Sequence, residues 1–133
     1  MFASKWEAEL YGHLRLVVPA RFLHLQPMFE LLPAFKDVTG AKQRAIMYCA
    51  DFLVGLPRIE NAAPARAGDL VIDAKGMETT DFKLKRKMFL YRYGVPLLAI
   101  KKRKRDLAAL IERCQERVQQ LITNEQRRND CAA

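Results

Sequence analysis

No stretch of this 133-residue chain approaches the roughly 20 consecutive apolar side chains that a membrane-spanning helix needs. The opening residues, MFASKWEAEL, lack a basic segment followed by an apolar one, so no secretory signal is expected and the predicted location is the cytoplasm. Cysteine is scarce. Cys49, Cys114 and Cys131 are odd in number and none is spaced as a zinc ligand, which argues against a disulfide framework and predicts free thiols in a reducing compartment. The two histidines, His13 and His24, stand alone and suggest no metal pair. No internal repeat and no low-complexity tract interrupts the chain.

What is present is ordinary globular material with a basic bias. Half the residues are hydrophobic and 29% are charged, and the length suits one domain with a real core. Lys and Arg exceed Asp and Glu by 23 to 15, giving a net charge of +8 and a pI near 9.7. From Lys83 to Arg105 there are ten basic residues and no acidic one. They are Lys83, Lys85, Arg86, Lys87, Arg92, Lys101, Lys102, Arg103, Lys104 and Arg105. Most basic runs are solvated faces, but an acid-free stretch of this length points to a phosphate-binding surface.

Periodicity predicts the elements. Ser4 to about Val18 reads as a helix, with Trp6, Leu10, Leu14 and Val17 at helical spacing, Ser4 and Glu7 in the form of a capping box, and Pro19 as the stop. Phe22–Leu32 reads as extended, with Pro27 confining it to an edge or forcing a bulge. A loop is expected around Lys36–Lys42, then a strand over Arg44–Val54. Gly55–Gly68 has the glycines and prolines of a long hairpin loop. Asp69–Lys75 is a second strand. A helix follows from about Thr80 to Tyr93, capped by Thr80 or Asp81 and ended by Gly94-Val95-Pro96. Its two apolar stripes, Phe82/Phe89/Tyr93 and Leu84/Met88/Tyr91, call for cover on two sides. Pro96–Lys101 is a short buried strand. The last helix, about Asp106 to Arg127, carries a heptad seam of Leu107, Ile111, Cys114, Val118 and Leu121. The predicted class is α/β with a mixed central sheet. Residues 1–105 form its core, and residues 106–133 a C-terminal helix and tail that either packs on the core or dimerises.

Period-two alternation sends Asp73 and Lys75 to one face of their strand and Ala74 to the other. Asp51, near the end of the preceding strand, reaches Asp73 if the two strands pair. Two adjacent carboxylates repel unless a cation lies between them, and hard oxygen ligands suit Mg²⁺ or Mn²⁺. Lys75 beside them can hold a water or hydroxide and stabilise charge on a phosphate. Those are the parts of metal-assisted phosphodiester hydrolysis. Asp-x-Lys alone is a weak motif, equally at home on a solvated strand face. The preceding strand Asp, the apolar lead-in DLVID and the basic helix that follows give it context.

The blocks Ser4-Lys5-Trp6-Glu7, Leu25-Gln26-Pro27, Tyr48-Cys49-Ala50-Asp51-Phe52, Asp73-Ala74-Lys75-Gly76 and Thr79-Thr80-Asp81-Phe82-Lys83-Leu84-Lys85-Arg86-Lys87 lie in order over about residues 4–101. Together they resemble a phage-encoded family of the PD-(D/E)XK nuclease superfamily, similar to endonuclease I, Holliday-junction-resolvase and transposase-type nucleases. The resemblance implies a restriction-endonuclease-like fold: a mixed central sheet flanked by helices, with the long helix C-terminal to it. It implies Asp51 and Asp73 as metal ligands, the Ala74 carbonyl as a third, Lys75 as the catalytic lysine, and Glu7 as a further catalytic acid and ligand. Gln26 matches a position where such relatives also carry a polar residue, and Thr79 opens the family's most recognisable stretch. Lys83, Lys85, Arg86, Lys101, Lys102 and Arg103 are the expected DNA contacts. The implied activity is Mg²⁺- or Mn²⁺-dependent cleavage of branched or junction DNA in phage recombination, repair or replication, by a homodimer in the host cytoplasm. The loop Gly55–Gly68 departs from the family by its length and prolines. Two other readings stay open: a non-catalytic DNA-binding accessory on a nuclease fold, and a protein-interaction module using the C-terminal helix. Glu7 can also serve only to complete the capping box with Ser4, and the lysines can be only a solubilising face.

Overall fold

Ser4 is extended and its hydroxyl accepts the Glu7 N–H at 3.0 Å, so the first helix, α1, begins at Lys5 and runs to Val17. A computed structural model describes residue 2 and residues 4–132. The expected strand Phe22–Leu32 is three elements: a 3₁₀ turn (Ala20–Phe22), β1 (Leu23–Leu25) and β2 (Met28–Leu32). The break falls at Gln26 and Pro27. Pro27 has no N–H for a ladder, and Gln26 turns to φ 49°, the left-handed region. The expected strand Arg44–Val54 is likewise divided into β5 (Ile46–Cys49) and β6 (Phe52–Val54), with Ala50 and Asp51 between them. The expected loop around Lys36–Lys42 is a turn flanked by two short strands, β3 (Phe35–Lys36) and β4 (Lys42–Gln43).

These pieces form one long bent antiparallel ribbon. β1 pairs with β6, β2 with β5 and β3 with β4, and the bend lies at Gln26 opposite Asp51. The ribbon's base joins β7 (Leu70–Ala74) and β8 (Leu97–Ile100) in a four-stranded sheet of order β1-β6-β7-β8. β6 and β7 are antiparallel and linked by the Gly55–Gly68 loop, as expected. β7 and β8 are parallel, which requires a crossover, and α2 (Thr80–Tyr93) supplies it. The cap of α2 is Thr79, whose hydroxyl accepts the Phe82 N–H, and not Thr80 or Asp81. Gly94 at φ 68° ends the helix in the left-handed turn that a Cβ disfavours.

Alternation along the central strands builds two cores. Phe52, Val54 and Ile72 face α1 and the C-terminal helix α3 (Lys104–Ala132), where they meet Leu10, Leu14, Leu110, Cys114, Val118 and Leu121. Leu53 and Val71 face the other way, against Phe82 and Phe89 of α2 and Phe29 of β2. Each such side chain contributes roughly 1.5–3 kcal/mol by leaving water. α3 has 29 residues, longer than its periodicity suggested, and is about 44 Å long at the usual rise. Its seam residues Cys114, Val118 and Leu121 are buried inside this one chain, against α1 and the sheet. They are therefore not a dimer face, and the seam does not meet the second stripe of α2. That stripe is open instead: Leu84 and Tyr91 are exposed, with only Met88 packed inward. No helix among the described residues is long and apolar enough to cross a membrane.

Candidate metal and phosphodiester site

The break in the ribbon creates the site. Pro27 and Ala50 still pair (Ala50 N–H to the Pro27 carbonyl, 3.0 Å), and the Gln26 N–H reaches the Asp51 carbonyl at 2.9 Å. Asp51 is thus fixed between β1 and β7 at the point where both strands of the ribbon interrupt their ladders. Its own N–H donates to Asp73 Oδ1 at 2.8 Å, and its Oδ2 accepts the Ala74 N–H at 2.8 Å. The Asp51 backbone thus holds the Asp73 carboxylate, and the Ala74 backbone holds that of Asp51. The backbone strain at Gln26, a non-glycine residue at positive φ, is of the kind held in place by surrounding structure at functional sites.

Asp73 lies on the α2 side of β7 with Val71, while Ala74 packs toward α1 and α3 with Ile72. The predicted split of Asp73 from Ala74 is what the sheet shows. The Asp73 side chain is withdrawn from solvent, at 2% exposure. Burial pushes its carboxyl up to about 6, with Lys75 and the Asp51 N–H pulling the other way. Its Oδ2 is buried and has no hydrogen-bond partner among the described residues. A buried oxygen left so is costly, on the order of 1–3 kcal/mol, and more for a charged group.

Lys75 follows β7, its N–H bonded to the Ile100 carbonyl at 2.9 Å. Its ammonium lies 4.3 Å from the centre of the Phe82 ring. Phe82 is buried on α2, and Arg86 approaches the same ring at 5.3 Å. Phe82 therefore orients Lys75, a role that the sequence signals only by its place in the Thr79–Lys87 block. Thr79 itself caps α2 and so sets where Phe82 points. Cys49 was also overlooked. Its thiol is exposed beside the acids, 3.8 Å from the Gln26 carbonyl, and burial together with the charges of Asp51 and Glu7 raises its pKa.

Glu7 is buried at 5% exposure on the first turn of α1. The neighbouring Trp6 indole donates to the Ile100 carbonyl at 2.9 Å, the same carbonyl that holds Lys75, so this turn of α1 lies against the site's end of the sheet. Among the described residues, however, no three or more His, Cys, Asp and Glu side chains converge closely enough to hold a metal ion. Asp51 and Asp73 come together, and Glu7 lies near enough for its charge to act on Cys49 beside them.

The basic stretch is divided between α2 and the start of α3, and much of it is answered within the chain. Arg86 pairs with Glu78 (2.6 Å), Lys85 with Asp81 (3.5 Å), Lys102 with Glu9 (2.9 Å) and Arg103 with Asp106 (3.7 Å). Of the six expected DNA contacts, Lys83 and Lys101 have no ion pair among the described residues. A separate depression, lined by Asp69, Arg113, Glu116 and Arg117, encloses about 360 Å³ at the opposite end of β7.

A family model described as "Protein of unknown function (DUF1064)" matches residues 1–105. The match takes in α1, all eight strands and α2, and stops at the first turn of α3. No curated protein and no solved structure matches this chain.

Proposed function

This chain belongs to the DUF1064 family, and we propose that it is a divalent-metal-dependent endodeoxyribonuclease with a restriction-endonuclease-like core. The observation that carries the reading is the Asp51–Asp73 pair: an Asp73 carboxylate held by the Asp51 N–H and an Asp51 carboxylate held by the Ala74 N–H, the former buried with an unpartnered oxygen, and a lysine two residues on. Support for the core comes from a helix, an antiparallel ribbon and a parallel strand reached through a helical crossover.

The residues fit a hard cation. An orphaned buried carboxylate oxygen beside a second carboxylate is an unfavourable arrangement that a cation relieves. Two carboxylates suffice for Mg²⁺, which keeps several waters and takes further oxygens from substrate phosphate. Asp51, Asp73 and the Ala74 carbonyl would hold the ion, and Glu7 would act through a water or as a charge at the rim. Bound there, Mg²⁺ or Mn²⁺ supplies Lewis-acid polarisation of the phosphodiester and a water of lowered pKa. The chain's own part is positional. Lys75, oriented by Phe82, stabilises negative charge on the phosphoryl oxygens as a water gives up a proton to solvent and forms a new P–O bond. The bond to one bridging oxygen breaks, and that oxygen takes a proton from solvent.

Branched DNA is the substrate shape that the resemblance implies, and two cuts on a junction call for two sites. A two-fold homodimer would provide them, meeting through a surface other than the α3 seam. The test incubates the protein with linear, flapped and four-way DNA in Mg²⁺ or Mn²⁺. Cutting is expected in wild type. Asp73→Ala should lower it by on the order of a thousand-fold, since loss of several kcal/mol of transition-state stabilisation has that effect. Equal cutting by Asp73→Ala refutes the site. DNA binding with no cutting under any metal favours the accessory reading instead.

A further inference from the structure

The tip of the long ribbon has no part in the core. Phe35 is half-exposed, Val38 is fully exposed, and Lys36, Lys42 and Arg44 stand in solvent. None of these three cations has an ion pair among the described residues, unlike Lys85, Arg86, Lys102 and Arg103. In the register of this ribbon Lys36 lies directly opposite Lys42, and Phe35 opposite Gln43. Like charges directly opposite on a two-stranded ribbon repel and destabilise it. An isolated ribbon also has little to offset that cost.

The turn is nevertheless firmly built. Asp37 Oδ1 accepts the Thr39 N–H (2.8 Å), the Thr39 hydroxyl (2.5 Å) and the Ala41 N–H (3.1 Å), while Oδ2 accepts from Gln43 at 3.3 Å. Gly40, at φ 85°, closes the turn with its N–H on the Asp37 carbonyl at 3.0 Å. The one acid of the tip is thus engaged inward, and the cations are left outward. A rigid arm with opposed lysines and a bare apolar tip has the chemistry of a surface that meets a polyanion.

We propose that the β3–β4 ribbon is a second DNA-binding element, which lies along the duplex flanking the cut, with Lys36 and Lys42 on phosphates and Val38 at the groove. The inference rests on the nuclease reading and extends it to the length of substrate needed. A two-stranded ribbon is the width that the major groove admits. The chain passes from the tip through β5 to Asp51, nine positions on from Lys42. Fully extended, that span is at most about 30 Å. One helical turn of DNA is about 34 Å. The arm therefore reaches up to roughly one turn from the scissile bond.

The experiment compares wild type with Lys36→Ala/Lys42→Ala, whose exposed positions leave the core untouched; equal melting temperatures check this. Binding to a duplex of about 30 base pairs is measured over a salt series in Ca²⁺. Each phosphate contact contributes about 0.9 to the log–log slope, so the double variant should show a slope smaller by about two. Cleavage in Mg²⁺ is then followed as the arms flanking the cut are shortened. Wild type should slow when an arm falls below about one turn, and the variant should cut long and short arms alike. An unchanged salt slope and an unchanged length dependence overturn the ribbon assignment even if wild type cuts well. Absence of cutting by wild type, with the slope change present, overturns the nuclease reading and leaves the ribbon as a DNA contact.

Discussion

Asp69 and Asp73 lie four residues apart at the two ends of β7, and both are withdrawn from water, at 5% and 2% exposure. Asp69 is answered by cations and donors. Its Oδ2 accepts the Arg66 N–H at 2.8 Å, and Arg117 of α3 places a guanidinium nitrogen 3.8 Å from Oδ1. The chain makes room for that pair. A Cβ on Gly55 would lie 2.3 Å from Asp69 Oδ1, and one on Gly68 would lie 2.8 Å from the Arg117 guanidinium. Asp73 instead accepts the Asp51 N–H through Oδ1, with Lys75 as its nearby cation, and its buried Oδ2 is unpartnered among the described residues. Burial raises both carboxyls from their ordinary range, that of Asp73 to about 6. Asp69 is held by a guanidinium and a backbone N–H, whereas Asp73 keeps one buried oxygen that no group among the described residues answers. Arg117 lies beyond residues 1–105, the part that matches the family, so the scaffold's lock is supplied by α3.

The contrast can be broken at its strongest point by Arg117→Met. Removing one partner of a buried pair leaves the other charge uncompensated, which costs about 3–5 kcal/mol. For a domain of this size the melting temperature should fall by on the order of 10 °C. Adding Asp69→Asn should recover most of the loss, and the cleavage rate of the folded variant should match wild type. Thermal melts and rates at low temperature check this; a variant that melts normally but cannot cut would place Arg117 in the catalytic machinery.

A smaller effect of opposite sign is expected at the other end. The folded-state pKa of Asp73, about 6, lies above that of an unfolded carboxylate. The folded protein therefore holds a proton that the unfolded chain releases, and stability declines as pH rises from about 4 to 6 and stays low above. In metal-free buffer Asp73→Asn should be more stable than wild type by on the order of 2–3 kcal/mol at pH 7.5. The gap should close toward pH 4, where both side chains are neutral. Urea titrations at three pH values measure it, and Mg²⁺ should narrow it at pH 7.5 by stabilising wild type alone. A gap independent of pH would contradict the proposed charge deficit.

The smallest effect is expected from Gly68→Ala. At φ 89° an alanine is strained, and its methyl would crowd Arg117. A cost of about 1–3 kcal/mol, with unaltered cutting, would locate the damage in the Asp69–Arg117 lock. Differential scanning calorimetry resolves it; a neutral result means that the loop relaxes around the methyl.

The elements that the sequence made plain are those with one dominant pattern. Ser4 and the Leu10/Leu14 spacing specify α1, the apolar DLVID specifies β7, and Gly94 ends α2. The errors share a cause. The ribbon strands looked continuous because their apolar character continues through Gln26-Pro27 and Cys49-Ala50-Asp51, whereas ladder breaks depend on the partner strand. Both interruptions meet at one level, and neither strand shows it alone. The α3 seam illustrates the same limit: a heptad pattern says that a stripe is buried but not what buries it. The acid-free basic run likewise looked free, because Glu9, Glu30, Glu78, Asp81 and Asp106, which answer five of its members, lie outside it.

The amino-acid sequence by itself determined which side chains share a face: Asp73 with Val71, Ala74 with Ile72, and Leu10 with Leu14. Those relations follow from the strand period of two and the helical repeat, and they need no knowledge of the rest of the fold. Only the tertiary structure decided that Asp51 donates to Asp73 while Ala74 donates to Asp51, that Phe82 lies under Lys75, and that Arg117 answers Asp69. Each of these contacts joins residues distant in sequence, through a register or a crossover set by the packing of two cores on one sheet. The charge on a buried carboxylate depends on what that packing brings within a few ångströms.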